Sequence, residues 1–389
     1  MAAAFKPVRI QQGSPVHWAL RAVGVAAMAY LLVLPIFQDL KPNQYGELAD
    51  IAILALAALS LNLLIGFTGQ ISIGHSAFFG VGAYTTAALM DQRDWTAGWT
   101  FPVAAVLCFV VGVLVGIPAL RLTGVYLTLV TLALAQIFPA LVRKAEGITG
   151  GSFGITGLAY DPPSWTGLDA SDRGDRTKWL YLLALGLLAL GYVLVRNLVK
   201  SRVGRAMVSV RDNTTAAGVM GVNVAVTKTV VFGISAALAG VAGSVFALRQ
   251  TQANPDTANF TILGAILFLV IMVIGGTASL LGPIVGAFVY YRVNQFTIDI
   301  PEKSWLPEWF RDFLVGRPNL ATIVFAALLV VLMFVAPFGI VGLAKQTGRR
   351  FVHVVPKPPA LAPAEQLAPA VDADIDDADS DPVVNPFAT

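Results

Sequence analysis

The run Asn62-Leu63-Leu64-Ile65-Gly66-Phe67-Thr68-Gly69-Gln70-Ile71-Ser72-Ile73-Gly74-His75 carries three glycines and five polar side chains, yet no ionised residue flanks it. Asp, Glu, Lys and Arg are all missing between Asp50 and Asp91. A glycine-rich turn in water normally has charged neighbours. Here apolar residues lie on both sides, long enough to reach across a hydrocarbon core that needs roughly 20 residues of helix. Non-helical backbone at that depth is tolerated only where protein or a polar cavity satisfies its hydrogen bonds. Asn62, Thr68, Gln70, Ser72 and His75 are therefore candidates to line or brace a translocation path at this break.

Two more charge-free windows follow, from Asp256 to Arg292 and from Arg317 to Lys345. Overall 56% of the 389 residues are hydrophobic and 13% are charged, about half the charged fraction of a soluble domain. The fold class is an all-α polytopic membrane protein. Spans are expected near 18–37, 48–66, 77–90, 101–120, 125–142, 179–198, 229–248, 262–274, 279–291 and 320–338. A second break, Gly275-Gly276-Thr277-Ala278-Ser279-Leu280-Leu281-Gly282-Pro283, separates the eighth span from the ninth. Leu122-Thr123-Gly124 is a milder interruption. Glycine-broken segments in corresponding halves point to the inner structure of a transporter. The offset between the halves is odd, which predicts an inverted repeat.

Charge sets the topology. The segment 199–228 and its flanks hold Arg196, Lys200, Arg202, Arg205, Arg211 and Lys228 against one acid, Asp212, so it is expected in the cytoplasm. Counting spans outward places Lys6, Arg9 and Arg21 on the same side, together with Lys345, Arg349, Arg350 and Lys357. Both termini are then cytoplasmic, and loops 143–178 and 292–319 face outward. Trp305, Trp309 and Phe310 in the latter suggest a short interfacial helix. Residues 1–343 form the membrane domain. Residues 344–389 form a cytoplasmic acidic tail, expected to be disordered because Pro, Ala and Asp dominate it.

Several chemistries are excluded. No Lys-Ser or Lys-Thr pair follows the glycine that a P-loop requires. His17, His75 and His353 lie far apart, and Cys108 is a lone cysteine in an apolar run, so neither a metal nor a hydrolytic site is expected. The basic excess sits beside spans rather than on a folded basic surface, so nucleic acid is not a partner. The first apolar run lacks a small-residue cleavage site and does not read as a signal peptide. The span centres lack the ionisable relays of ion-coupled carriers. Transport energy should come from another chain.

The basic loop offers that chain a handle. Asp212 or Asn213 can N-cap a short helix and Gly221 can end it. Ala216, Val219 and Met220 fall at i, i+3 and i+4, forming a small apolar face with polar flanks.

The run continuing through Ser76-Ala77-Phe78-Phe79-Gly80-Val81-Gly82-Ala83-Tyr84 resembles the signature of branched-chain amino-acid ABC permeases, and is most similar to the LivM type. Ser201-Arg202-Val203-Gly204-Arg205-Ala206, Arg211-Asp212-Asn213 and Met220-Gly221 resemble that family's ATPase-coupling loop, with Ala216, Ala217 and Val219 between them. Gly275-Gly276 with Gly282-Pro283 and Gly286-Ala287 resembles a third segment, and Thr149-Gly150-Gly151-Ser152 with Gly154-Ile155-Thr156-Gly157 the external loop. The similarity covers about residues 48–345. It departs at Thr214, Thr215 and Gly218, where the family often has acids.

The resemblance implies a non-enzymatic permease subunit in a bacterial cytoplasmic membrane. It would work with a homologous second permease, two ATP-binding subunits and an extracytoplasmic amino-acid-binding protein. ATP would bind the partner chains, leaving this chain without a cofactor. A urea or amide ABC permease is the nearest alternative, and a secondary transporter is a more distant one.

Overall fold

The computed structural model describes residues 8–11, 41–119, 125–158, 160–299, 330, 334 and 339–355. In chain order these form β1 (Val8–Gln11), α1 (Pro42–Thr68), α2 (His75–Arg93), α3 (Ala97–Ala119), α4 (Val125–Lys144), the single turn α5 (Glu146–Thr149) and β2 (Ile155–Thr156). They continue with α6 (Arg173–Lys200), α7 (Arg202–Asp212), α8 (Thr214–Val219), α9 (Val224–Gln250), β3 (Gln252–Ala253), α10 (Ile262–Gly275), α11 (Gly282–Asp299), α12 (Gly339–Phe351) and β4 (Val352–Val355).

Among the described residues, α1, α6 and α9, together with Ala97–Ile117 of α3 and Tyr126–Lys144 of α4, are long and apolar enough to cross a membrane. The second to ninth expected spans each coincide with a helix. The first lies outside the described residues, as does the tenth apart from Val330 and Phe334. Helix α10 has 14 residues, which rise roughly 21 Å, short of a core about 30 Å thick. It stops inside the bundle because Gly275 and Gly276 end it.

Helices α1 and α9 form the centre. Both are mostly buried, and α9 achieves this with small residues. A Cβ on Gly82 of α2 would lie 2.0 Å from the Gly240 carbonyl oxygen, and one on Gly243 would lie 1.8 Å from that of Phe79. Backbones therefore touch where α9 crosses α2, the close approach that small residues permit in membranes. Cys108 of α3 is buried and packs against Gly240.

Several boundaries differ from expectation. Helix α11 runs to Asp299, so residues 292–299 are helix rather than the start of a loop, and the rest of 292–319 lies outside the described residues, as does 122–124. The loop 143–178 is shorter, because α4 reaches Lys144 and α6 begins at Arg173 under an Asp172 N-cap. The tail is structured at its start. Residues 344–351 belong to α12, and β4 pairs in parallel with β1, Val8 opposite Val352. The β-branched pattern of Val352, Val354 and Val355 against Val8 and Ile10 favours extended pairing over disorder.

Candidate functional site at the paired helix breaks

The first break is held by its own ends. Gly69 closes α1 in the left-handed region at φ 69°, with its N–H donating to the Ile65 carbonyl at 3.1 Å. The Thr68 hydroxyl donates to the Leu64 carbonyl and accepts from Gln70 Nε2 at 3.2 Å. Ile73 N–H donates to Thr131 Oγ1 of α4 at 3.1 Å, so a third helix satisfies the open backbone.

His75 opens α2 and is 1% exposed. Its Nε2 lies 2.7 Å from Ser235 Oγ, and Ser235 donates to the Ser60 carbonyl at 2.5 Å. Ser235 must therefore accept from His75, which fixes the proton on Nε2. Nδ1 then accepts from Ser72 Oγ at 3.2 Å. Both ring nitrogens are paired in a neutral imidazole, and the ring joins α1, α2 and α9.

Asn62 does something different: it reaches the second break. Its Nδ2 donates to the Ser279 carbonyl at 2.8 Å, and its Oδ1 accepts from Ala278 N–H at 3.0 Å. Ala278 has φ 56°, a left-handed conformation costing roughly 1–2 kcal/mol for a residue with a Cβ. Bonds on both sides of Ala278 hold it there. Gly66 makes the approach possible, since a Cβ on it would lie 2.3 Å from Asn62 Oδ1 and 2.6 Å from Ala278 N. The second break is also packed by Gly339, the first residue of α12, at Gly276.

The basic loop contacts the same place. It folds as two helices rather than one. Ser201 caps α7 through Oγ, accepting from Val203 N and Gly204 N at 3.1 and 3.4 Å. Gly204 allows the sharp elbow from α6, because a Cβ there would meet the Val199 carbonyl at 2.0 Å. Met207 and Val210 bury one face of α7. Asn213, not Asp212, caps α8, with Oδ1 accepting from Ala216 N at 2.9 Å. Gly221 follows at φ 85°, while Val222 N–H and Gly221 N–H return to the Ala217 and Gly218 carbonyls, a Schellman ending. Ala217 is buried, whereas Val219 and Met220 are 84% and 85% exposed, and Ala216 is exposed beside them. Arg202 and Arg205 are exposed too.

Arg211 turns inward. Its Nη1 donates to the Gly66 carbonyl at 3.0 Å, its stem packs on Gly69, and Asp212 Oδ1 pairs with its Nε at 3.0 Å. Thus α7, the end of α1 and the second break meet through Arg211, Gly66 and Asn62.

All five candidates of the first break are buried: Asn62, Thr68, Gln70, Ser72 and His75. Their partners Ser235, Ala278 and Ser279, with Ser60 accepting from Ser235 and Thr131 from Ile73, carry no signal of their own in the sequence, and only the glycines around 278 and 279 mark that segment. Among the described residues no group of His, Cys, Asp and Glu is placed to hold a metal.

No solved structure matches the chain. The LivM permease proteins of the high-affinity branched-chain amino-acid transport systems of Escherichia coli and Salmonella typhimurium are 33% and 32% identical to it, over 66% and 64% of its length. These alignments span 65% and 63% of the relatives' own length. The autoinducer 2 import permease LsrC of Photorhabdus laumondii is 25% identical over 77% of this chain and 88% of its own. Residues 46–341 match the family described as branched-chain amino acid transport system, permease component, and the match contains both breaks and the helix pair. The chain belongs to that family of membrane permease components.

Proposed function

We propose that this chain is the LivM-type permease subunit of an ATP-driven importer, forming half of the path for branched-chain or related amino acids. The observation that carries it is the α7–α8 pair, whose outer face presents Val219 and Met220 while Arg211 on its inner side grips the end of α1. An ATPase subunit seated on α8 would move a lever attached to both broken segments. The first-break residues brace the path in this reading, since each is buried and hydrogen-bonded to a neighbouring helix or to the break itself. A homologous permease would supply the other half, two ATP-binding subunits the energy, and an extracytoplasmic binding protein the amino acid. The helix pair and both termini would face the bacterial cytoplasm.

Reconstitution of the chain with its partner permease, ATPases and binding protein in proteoliposomes tests the proposal. Leucine uptake that needs ATP inside the ATPase-facing compartment is expected. Uptake by the chain alone under an ion gradient would overturn it, and uptake of urea in preference to leucine would reassign the substrate.

A further inference from the structure

A cavity of about 470 Å³ lies at the end of the bundle opposite the helix pair. Helix α1 runs from this cavity, at Asp50, Ile53 and Leu54, to the Arg211 contact at Gly66. Helix α9 runs the other way, from Val224 beside α8 to Phe246 and Gln250 in the cavity wall. The volume falls in the range of small-molecule sites, roughly 300–1,000 Å³.

The lining mixes two chemistries. Ile53, Leu54, Phe246 and Leu267 are apolar, Gln250, Asn259 and Asn294 carry amides, Asp50 carries a carboxylate, and Tyr290 and Tyr291 complete the helical part of the wall. Arg249 is not part of the wall. It stands behind Asp50, its Nε 3.1 Å from Oδ1 and its Nη2 3.1 Å from Oδ2. A carboxylate has about four acceptor positions, so two remain beyond the guanidinium. The pair is neutral overall, and of its two members Asp50, not Arg249, lines the cavity.

We propose that this cavity is a receiving site for a zwitterionic α-amino acid with an aliphatic side chain. The ammonium group would bind Asp50, the amide N–H groups would take the carboxylate, and the side chain would pack on Ile53, Leu54, Phe246 and Leu267. The assignment deepens the proposed function and rests on it for direction of transport. It also separates two substrate classes. Urea could use the amides but has no cation for Asp50 and no hydrocarbon for the wall, and leaving either unmatched costs affinity.

The test uses photo-leucine, a diazirine amino acid, on the assembled permease–ATPase complex in lipid nanodiscs. Crosslinked peptides should contain Ile53–Leu54, Phe246 or Leu267, and excess L-leucine but not urea should suppress them. Asp50→Asn should cut labelling roughly tenfold or more. Ala258→Trp fills the cavity from a position that leaves the Asp50–Arg249 pair intact, and should do the same. Labelling elsewhere, competition by urea equal to that by leucine, or full labelling of an assembled Ala258→Trp complex would overturn the site. ATP-driven leucine uptake by the unaltered complex separates the two failures. If uptake occurs without cavity labelling, only the receiving site falls. If labelling occurs without ATP-driven uptake, the transport mechanism falls instead.

Discussion

Asn62 and Ser279, 217 positions apart in the chain, are joined by a 2.8 Å hydrogen bond between a buried amide and a backbone carbonyl. The same amide accepts from Ala278 N–H, so one side chain completes the backbone of a break that its own helix does not contain. Asn62→Ala would leave two backbone groups unpaired where water is scarce, at roughly 1–3 kcal/mol each. The purified complex should lose several degrees of thermal stability, and amide exchange should rise at Ala278. Gly66→Ala should do at least as much, because its Cβ would collide with both partners. The double variant should cost less than the sum of the two, since both act on one contact. Additive losses would show that the clasp is not a unit.

Arg211 should separate energy use from transport. Arg211→Ala removes a charged donor from the Gly66 carbonyl, worth about 1.5–3 kcal/mol, on a side chain one third exposed. The complex should still assemble through α8 and hydrolyse ATP. Leucine uptake should fall by about tenfold or more, because the lever is no longer fixed to α1. Arg211→Lys should restore part of it. Proportional loss of uptake and hydrolysis in both variants would assign Arg211 to ATPase docking instead.

Much of this arrangement was legible in the sequence for physical reasons. Charge-free windows report lipid directly, and Gly69 and Gly275-Gly276 end helices by backbone conformation, so the spans and breaks stood out. The cap at Asn213 and the ending at Gly221 are likewise local signals. Helix α7 is less legible: Met207 and Val210 carry a helical spacing, but the six basic residues in and around the loop report its side of the membrane rather than its helicity. The clasp could not be read. Asn62 looks like any polar residue near a glycine, and only the fold brings Ala278 onto Gly66.

Close packing between α2 and α9 predicts a sharp contrast among glycines. Gly82→Val should abolish accumulation of the chain in membranes, since even a Cβ would sit 2.0 Å from the Gly240 carbonyl oxygen. Gly186→Ala on α6 meets nothing within 4 Å and should be neutral or stabilising by up to about 1 kcal/mol, as expected when a helix exchanges glycine for alanine. Membrane yield and monodispersity in detergent would measure both. Equal tolerance of the two would contradict the crossing.

Val219 and Ala217 lie two residues apart on α8 and should behave oppositely. Val219 is exposed and Ala217 is buried, so the first faces outward and the second anchors α8 to the membrane domain. Val219→Glu should change the stability of the isolated chain by no more than about 0.5 kcal/mol, the usual effect of a surface change. It should nevertheless prevent co-purification of the ATPase subunits, because a carboxylate would have to be desolvated in an apolar contact. Ala217→Glu should instead lower the melting temperature of the chain before any partner is added. If Val219→Glu retains its ATPases and transports normally, α8 is not the docking face. The moving force would then have to enter through another surface, and α12, which begins on the second break at Gly276, would be the next to test.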